Sequence, residues 1–300
     1  MGLTVGVVFN LKRSYPLTSG SEEDEAAECD EPSTVERIAS ALRRHGHRVV
    51  LFEFNRDLPG RLSSGERPDI VFNIAEGWTG RNRESMVPSL LEMMGIPYTG
   101  SDALTLGLAL DKALCKLVVA SRGVATPRGI TVRSSRDARR LLERLEGVDR
   151  RHSSGGKNGE NPEVMESGSI PDFPMFVKPL HEGSSKGIRE SSLVRSPDEL
   201  IAQIERILSD YDEPALVEEF IDGREFTVGI IGNEEPIVLP ILEISSGFQD
   251  SQIPPEFVYS YRVKASNVER FECPAKLEPE LETKIKGVAL QAFRALGCLD

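Results

Sequence analysis

The stretch FVKPLHEGSSKGI, residues 176–188, governs how the rest of the sequence is read. It begins inside an apolar strand expected over 174–179 and ends as a loop of small residues. Lys178 closes the strand; Gly183, Ser184, Ser185 and Gly187 follow. Small residues let backbone N–H groups approach an anion, and serine hydroxyls add donors. Lysine contributes a compact positive charge suited to phosphate. The spacing is neither G-x-x-x-x-G-K-[ST] nor G-x-G-x-x-G, so neither common nucleotide fingerprint is present. On these residues alone the stretch is either an anion cradle or a plain Gly/Ser turn.

A second segment, ALVEEFIDGREFTVGIIGN at 215–233, adds to it. Glu218 and Glu219 stand at the end of a strand expected over 215–219, and Glu225 falls in the next one. Acids placed there can accept from an adenine amino group or from ribose hydroxyls. Phe220 and Ile221 can sandwich a base. Taken alone, such a segment is more often an exposed turn.

Around these segments the pattern is that of an α/β protein. A β-branched apolar run over 3–9 opens the chain. A helix over 32–45 puts Val35, Ile38, Ala39 and Leu42 on one face, with proline in its first turn. Strands over 48–54 and 69–74 and a helix over 84–94 complete a first segment with a parallel sheet. Helices over 103–122 and a strand over 129–132 follow. The next helix starts at 134 or 135 and buries Ala138, Leu141, Leu142 and Leu145. Residues 148–172 are polar, rich in Gly and Ser and aperiodic, and read as a disordered insertion. The helix over 197–208 opens with an S-x-x-E capping box, Ser196 to Glu199. Strands over 225–231 and 237–243 flank a turn at Gly232-Asn233. A last helix over 280–296 carries Leu281, Ile285, Val288, Ala292 and Leu296 in one stripe.

Composition bounds the function. The 300 residues include 36 Lys plus Arg against 48 Asp plus Glu, a net charge of −12, which excludes a nonspecific nucleic-acid binder. Four cysteines without a CxxC pair argue against a zinc site or a disulfide scaffold. No apolar run approaches the roughly 20 residues of a membrane span, and no signal segment opens the chain. The expectation is a cytoplasmic setting with no nucleic acid or membrane partner. Residues 21–31 hold seven acids and no base. They read as a solvated segment, or as the source of one acid that reaches a substrate amine.

Three segments together, in order and suitably spaced, resemble the D-alanine–D-alanine ligases of the ATP-grasp superfamily. They are VFNIAEGWTGRNRESMVPSLLEMMGIPYTGSDALTLGLALDKALCK from Val71, FVKPLHEGSSKGI, and LVEEFIDGREFTVGI from Leu216. The resemblance implies an N-terminal Rossmann-like domain with a parallel sheet, then an ATP-grasp fold of two subdomains. It divides the chain at 1–99, 100–217 and 218–300. It implies ATP with Mg2+ or Mn2+, a small amino acid substrate, a homodimer, and D-alanyl-D-alanine formed through an acyl phosphate for peptidoglycan. Lys112 and Lys178 would contact the phosphates. Ser184 and Ser185 would cover the triphosphate, with Ser184 also orienting the first amino acid. Glu218, Glu219 and Ile221 would line the adenine pocket and Glu225 would bind the ribose. Lys264 would meet the γ-phosphate, and Glu76 would touch substrate.

The chain departs from the family pattern at four places. Glu76-Gly77 stands where many members have His-Gly. Ala265 stands where a tyrosine commonly follows the lysine. The acid that holds the first amine has no clear match, with Glu28 or Glu31 as substitutes. The family's magnesium-binding segment finds no counterpart before Asp300, Glu243 being a partial substitute. From that last departure the expectation is an incomplete chain, weak in activity and prone to aggregate. A ligase for other amino acids or peptides, and a noncatalytic nucleotide-binding remnant, are the alternatives.

Overall fold

The computed structural model describes residues 2–16, 24–65, 67–147, 170–246, 258–266 and 269–300. The insertion expected over 148–172 lies outside the described residues except at 170–172. The chain gathers into two units. Unit 1 is Met1–Val124, Val228–Ile241 and Leu277–Asp300; unit 2 is Ala125–Thr227 and Leu242–Lys276.

Unit 1 begins with β1 (Thr4–Phe9), α1 (Pro32–Arg44), β2 (Arg48–Glu53), α2 (Leu58–Ser63) and β3 (Ile70–Asn73). The strands pair in parallel with β1 in the middle, Val7 lying opposite Leu51 on one side and Phe72 on the other. Alternation along β1 turns Val7 and Phe9 towards Val35 of α1, while Val8 joins Leu58 and Leu62 of α2. The second cluster also takes Val87 and Leu91 of α3 (Met86–Met94). Helices thus cover both faces of the sheet, which is why TVGVVF is apolar almost throughout. The helix α2, with only two buried leucines, is too short to show a period in the sequence.

The acid-rich segment is tied down where it is described, and this corrects the expectation of a solvated stretch. Asp30 N donates to Asn10 O at 2.8 Å, Lys12 N donates to Asp30 O at 3.2 Å, and Asp24 is buried. The cause is a set of partners distant in sequence, which charge patterning does not reveal. The helices expected over 103–122 are two, α4 (Ala103–Leu110) and α5 (Lys112–Ser121). Asp111 sets the boundary between them by capping α5, its carboxylate accepting from Leu114 N at 3.1 Å. Lys112 is thereby the first residue of α5.

Unit 2 contains β4 (Gly129–Val132), α6 (Ser135–Leu145), β5 (Met175–Pro179), β6 (Leu193–Val194), α7 (Pro197–Asp210) and β7 (Ala215–Glu219). The order β4-β7-β5-β6 is antiparallel throughout. Ile130, Val132, Met175, Val177, Ala215 and Val217 face α6 and α7, meeting Ala138, Leu141, Leu200, Ile204 and Ile207. The capping box of α7 forms in altered shape. Ser196 Oγ accepts from Glu199 N, but Glu199 reaches back to Arg195 N at 2.7 Å, one residue further than expected.

Each of the strands expected over 225–231 and 237–243 is broken. They form β8 (Glu225–Thr227), β9 (Ile230–Ile231), β10 (Ile237–Val238) and β11 (Leu242–Ser246). Pro240 has no N–H to offer the ladder, and Leu239 N to Gly229 O at 2.9 Å is the bond beside the break. The β9–β10 hairpin lies in unit 1, whereas in unit 2 β11 pairs with β8 on one side and with β12 (Glu269–Glu272) on the other. A short helix, α8 (Tyr261–Ser266), precedes β12. The last helix, α9 (Pro279–Leu296), belongs to unit 1. Its apolar stripe does not enter a core: none of its residues is buried, and Val288 is 43% exposed. Within unit 1, α9 is held at its end, where Thr105 Oγ1 donates to Leu296 O at 3.0 Å and Leu299 N donates to Ser101 Oγ at 3.0 Å. Among the described residues no helix is long and apolar enough to cross a membrane.

Candidate functional site

In unit 2 the two-residue period of the strands builds a polar face. With Val177 and Val217 turned to the helices, Phe176, Lys178, Leu216 and Glu218 turn the other way. Phe176 lies opposite Glu218, and Lys178 opposite Leu216. Lys178 Nζ reaches diagonally to Glu218 Oε2 at 2.6 Å, and the Glu218 side chain is only 4% exposed. Gly129, paired with Glu218, makes room for it: a Cβ there would stand 3.0 Å from Glu218 Cγ and 2.6 Å from Val217 O. Thr131 also lies on this face, and its buried hydroxyl has no hydrogen-bond partner among the described residues. Sequence reasoning missed Gly129 and Thr131; alternation along 129–132, phased by Ile130 and Val132, was the signal available.

The end of β7 supplies the remaining acids. Glu219 accepts from Arg128 N and Arg128 Nε, both at 2.8 Å, so its carboxylate is fixed. The Phe176 and Phe220 rings stack with centroids 6.4 Å apart, and Ile221 is 63% exposed. Glu225 is open to solvent on one side, but the protein around it desolvates its carboxyl enough to raise its pKa. An aromatic wall, an exposed isoleucine and fixed acids suit a heterocycle carrying hydroxyls.

The loop after β5 holds two consecutive non-glycine residues in the left-handed region, Ser184 at φ 47° and Ser185 at φ 61°. Each costs about 1–2 kcal/mol, so the surroundings must enforce them. Lys186 N donates to Gly183 O at 2.8 Å and Ile188 N to Ser185 O at 3.0 Å. At Gly187, φ 77°, a Cβ would fall 2.3 Å from Pro179 Cγ. Such a turn aims successive N–H groups at one point, as anion nests do. The N–H and hydroxyl groups of Ser184 and Ser185 make no hydrogen bond to the described residues. His181 does not point into this nest. It is buried beside Glu213, to which its own N–H donates at 3.1 Å.

Lys264 lies exposed on α8. That helix is tied to the loop's exit: Tyr261 N donates to Ile188 O at 3.2 Å and Ser260 Oγ to Glu190 Oε1 at 3.1 Å. Glu243, the partial substitute for a magnesium ligand, is engaged by an arginine. Arg224 Nε and Nη2 each meet one of its oxygens at 2.7 Å and hold its carboxyl below the ordinary range. No group of three or more His, Cys, Asp or Glu side chains among the described residues is arranged to hold a metal ion.

In unit 1, Glu76 belongs to a half-buried cluster of carboxyls around the buried Arg83. Arg83, 3% exposed, donates to both oxygens of Glu28 at 2.9 and 2.7 Å. Asn10 Oδ1 accepts from Glu76 N at 2.9 Å and Gly77 N at 3.1 Å, fixing the turn. Gly77 has φ 73°, and a Cβ there would lie 2.7 Å from Arg83 O, so glycine is required. Glu76 and Glu84 share a hydrogen bond, and the half-buried Lys112 is close enough to act on Glu84. Burial raises the Glu76 pKa to about 8, and the neighbouring Glu84 and Glu28 add to the rise. Of the two substitutes for the amine-holding acid, Glu28 is in this cluster, whereas Glu31 is exposed and meets Lys12 at 3.2 Å.

A raised carboxyl makes stability depend on pH in a definite direction. The folded Glu76 stays protonated while the unfolded one ionises above about 4.5. Its contribution is therefore full below that value and is lost as pH rises towards about 8. Glu76→Gln cannot ionise and keeps the hydrogen bond to Glu84. It should exceed the parent protein in stability at pH 8.5 by on the order of 1 kcal/mol and match it at pH 4.5. Urea unfolding at the two pH values reads the difference, and equal loss of stability in both proteins refutes the assignment.

A crystal structure of D-alanine–D-alanine ligase from Bacillus anthracis matches with a TM-score of 0.64 and 21% identity, covering 99% of this chain and 80% of that one. The fold is accordingly of the ATP-grasp class, preceded by a parallel α/β sheet. Residues 152–300 match the family model described as D-ala D-ala ligase C-terminus. A D-alanine–D-alanine ligase of Pelotomaculum thermopropionicum is 32% identical over 266 residues, 88% of this chain and 73% of that protein. An uncharacterised protein of Sinorhizobium fredii is 33% identical over 270 residues, 88% of this chain and 70% of that one. The chain belongs to the D-alanine–D-alanine ligase family.

Proposed function

We propose that the protein is an ATP-dependent carboxylate–amine ligase that joins two D-alanine molecules for peptidoglycan. The observation that carries this reading is the polar sheet face of unit 2, ending in Lys178 and a loop whose serine N–H and hydroxyl groups make no hydrogen bond to the described residues. ATP supplies the phosphoryl group that turns the first carboxylate into an acyl phosphate. Lys178 holds positive charge against the phosphates, and Glu218 keeps its ammonium in place. Ser184 and Ser185 offer N–H and hydroxyl donors to the phosphoryl oxygens, pre-aligned by their left-handed backbone. Glu218, Glu219, Ile221 and Glu225 border the adenosine. Lys112 and Lys264 are assigned to the phosphates, and Glu76 with its partner Glu84 to the amino acid. Catalysis of this kind rests on positioning and charge, so no nucleophilic side chain is required. Mg2+ or Mn2+ enters this reading as companion of the triphosphate, and no step is derived through it. The division at 99/100 and 217/218, a cytoplasmic setting and a homodimer go with the same reading.

Phosphate release from Mg-ATP by the 300-residue chain, with and without D-alanine, tests it. D-alanine-dependent release is the expected result. Release that depends on a different amino acid or a peptide would support the second reading, which the Glu76–Glu84 carboxyl pair favours. No release with any amino acid replaces catalysis by this chain with the third reading, a noncatalytic nucleotide-binding remnant.

A further inference from the structure

We propose that the buried Glu182–Lys186 ion pair is a positioning brace for the phosphate loop; this rests on the nucleotide reading above and names residues that hold the loop in shape. Lys186 Nζ lies 2.9 Å from Glu182 Oε1, with side chains 7% and 8% exposed. A buried lysine is rare in a glycine- and serine-rich turn, where it sacrifices hydration and rotamer freedom. The pair spans Gly183, Ser184 and Ser185, the segment that carries the two left-handed serines. Both flanks of that segment are anchored elsewhere. At the entry His181 N donates to Glu213 Oε2 at 3.1 Å; at the exit Arg206 Nη2, from α7, donates to Gly187 O at 2.7 Å. Between these anchors the ion pair is a side-chain link across the curve. It thereby holds the Ser184 and Ser185 donors converged before a ligand arrives.

The pair is neutral as a unit, and this gives the two single variants unequal effects. Lys186→Met removes the brace and leaves a carboxylate beside the triphosphate. Glu182→Gln removes the brace and leaves an ammonium there, whose attraction offsets part of the loss.

Isothermal titration calorimetry of the full chain with ATP and with adenosine tests the brace, because the phosphates are the part of the nucleotide that the loop meets. Lys186→Met should bind ATP roughly ten- to a hundredfold more weakly, Glu182→Gln less so, and both should bind adenosine as the parent does within about twofold. Lys186→Arg keeps the pair and should retain ATP affinity. If Lys186→Met does not fold, the neutral double variant Glu182→Gln/Lys186→Met gives the same comparison. Unchanged ATP affinity, or equal weakening of ATP and adenosine, overturns the brace. A parent protein that binds ATP no better than adenosine removes the nucleotide reading itself, and the brace with it.

Discussion

Lys178→Met should lower ATP-driven phosphate release by about a hundred- to a thousandfold, the effect of deleting one strong charge stabiliser from a phosphoryl-transfer site. It should also destabilise unit 2, for a separate reason. Glu218 is 4% exposed, and Lys178 Nζ at 2.6 Å is its counter-charge. Without that partner the carboxylate must take up a proton or stay buried and charged, and breaking a buried pair in this way costs about 3–5 kcal/mol. The lysine is 24% exposed, so the lower end applies. The double variant Lys178→Met/Glu218→Gln separates the two effects. Removing both charges should recover most of the stability in urea unfolding while phosphate release stays at the level of the single variant. A Lys178→Met protein with full phosphate release would end the assignment of this lysine to the phosphates. A double variant as unstable as the single one would show that Glu218 does not depend on Lys178.

The face that carries Lys178 was largely legible from the sequence, and the reason is periodicity. In β5 and β7 every second residue is a core residue, so the phase of Met175, Val177, Ala215 and Val217 fixes where Lys178 and Glu218 point. The loop announced itself through composition, but not through its brace. Lys186 reads as a surface charge in a linear sequence, and only three-dimensional closure of the turn buries it against Glu182. The broken strands at 225–231 and 237–243 show the opposite failure. Their apolar alternation is genuine, yet Pro240 and the switch of partners around it divide each run between the two units. The stripe on α9 misled for a third reason. A 3.6-residue period says which side of a helix is apolar, and it is silent on whether another layer covers that side. The acid-rich segment was hardest to read, because its key partner, Arg83, lies 55 residues from Glu28.

That distant pair should dominate the stability of unit 1. Arg83 is the cation buried among Glu28, Glu76 and Glu84, and it pulls the pKa of Glu76 and Glu84 down against burial and mutual repulsion. Arg83→Met should cost about 3–5 kcal/mol at neutral pH, since it removes the buried cation that both Glu28 oxygens accept from and unshields its neighbours. The loss must vary with pH. Without the guanidinium the folded-state pKa values of Glu76 and Glu84 rise further above the unfolded value of 4.5. Stability then falls more steeply as pH climbs above that value, and the deficit should be smallest near pH 4.5 and largest at pH 8 or above. Trp78, the single tryptophan of the chain, reports on this unit, its ring meeting Tyr15 and Phe54 edge-on at 5.6 and 6.0 Å. Urea unfolding followed by its fluorescence at pH 4.5, 7 and 8.5 therefore reads the effect where it arises. Arg83→Met/Glu28→Met replaces the pair with apolar side chains and should regain much of the loss, because a buried ion pair exchanged whole for apolar groups costs little. If the single variant loses the same stability at every pH, the cluster is not held by charge. Arg83 would then matter only for the space its side chain fills.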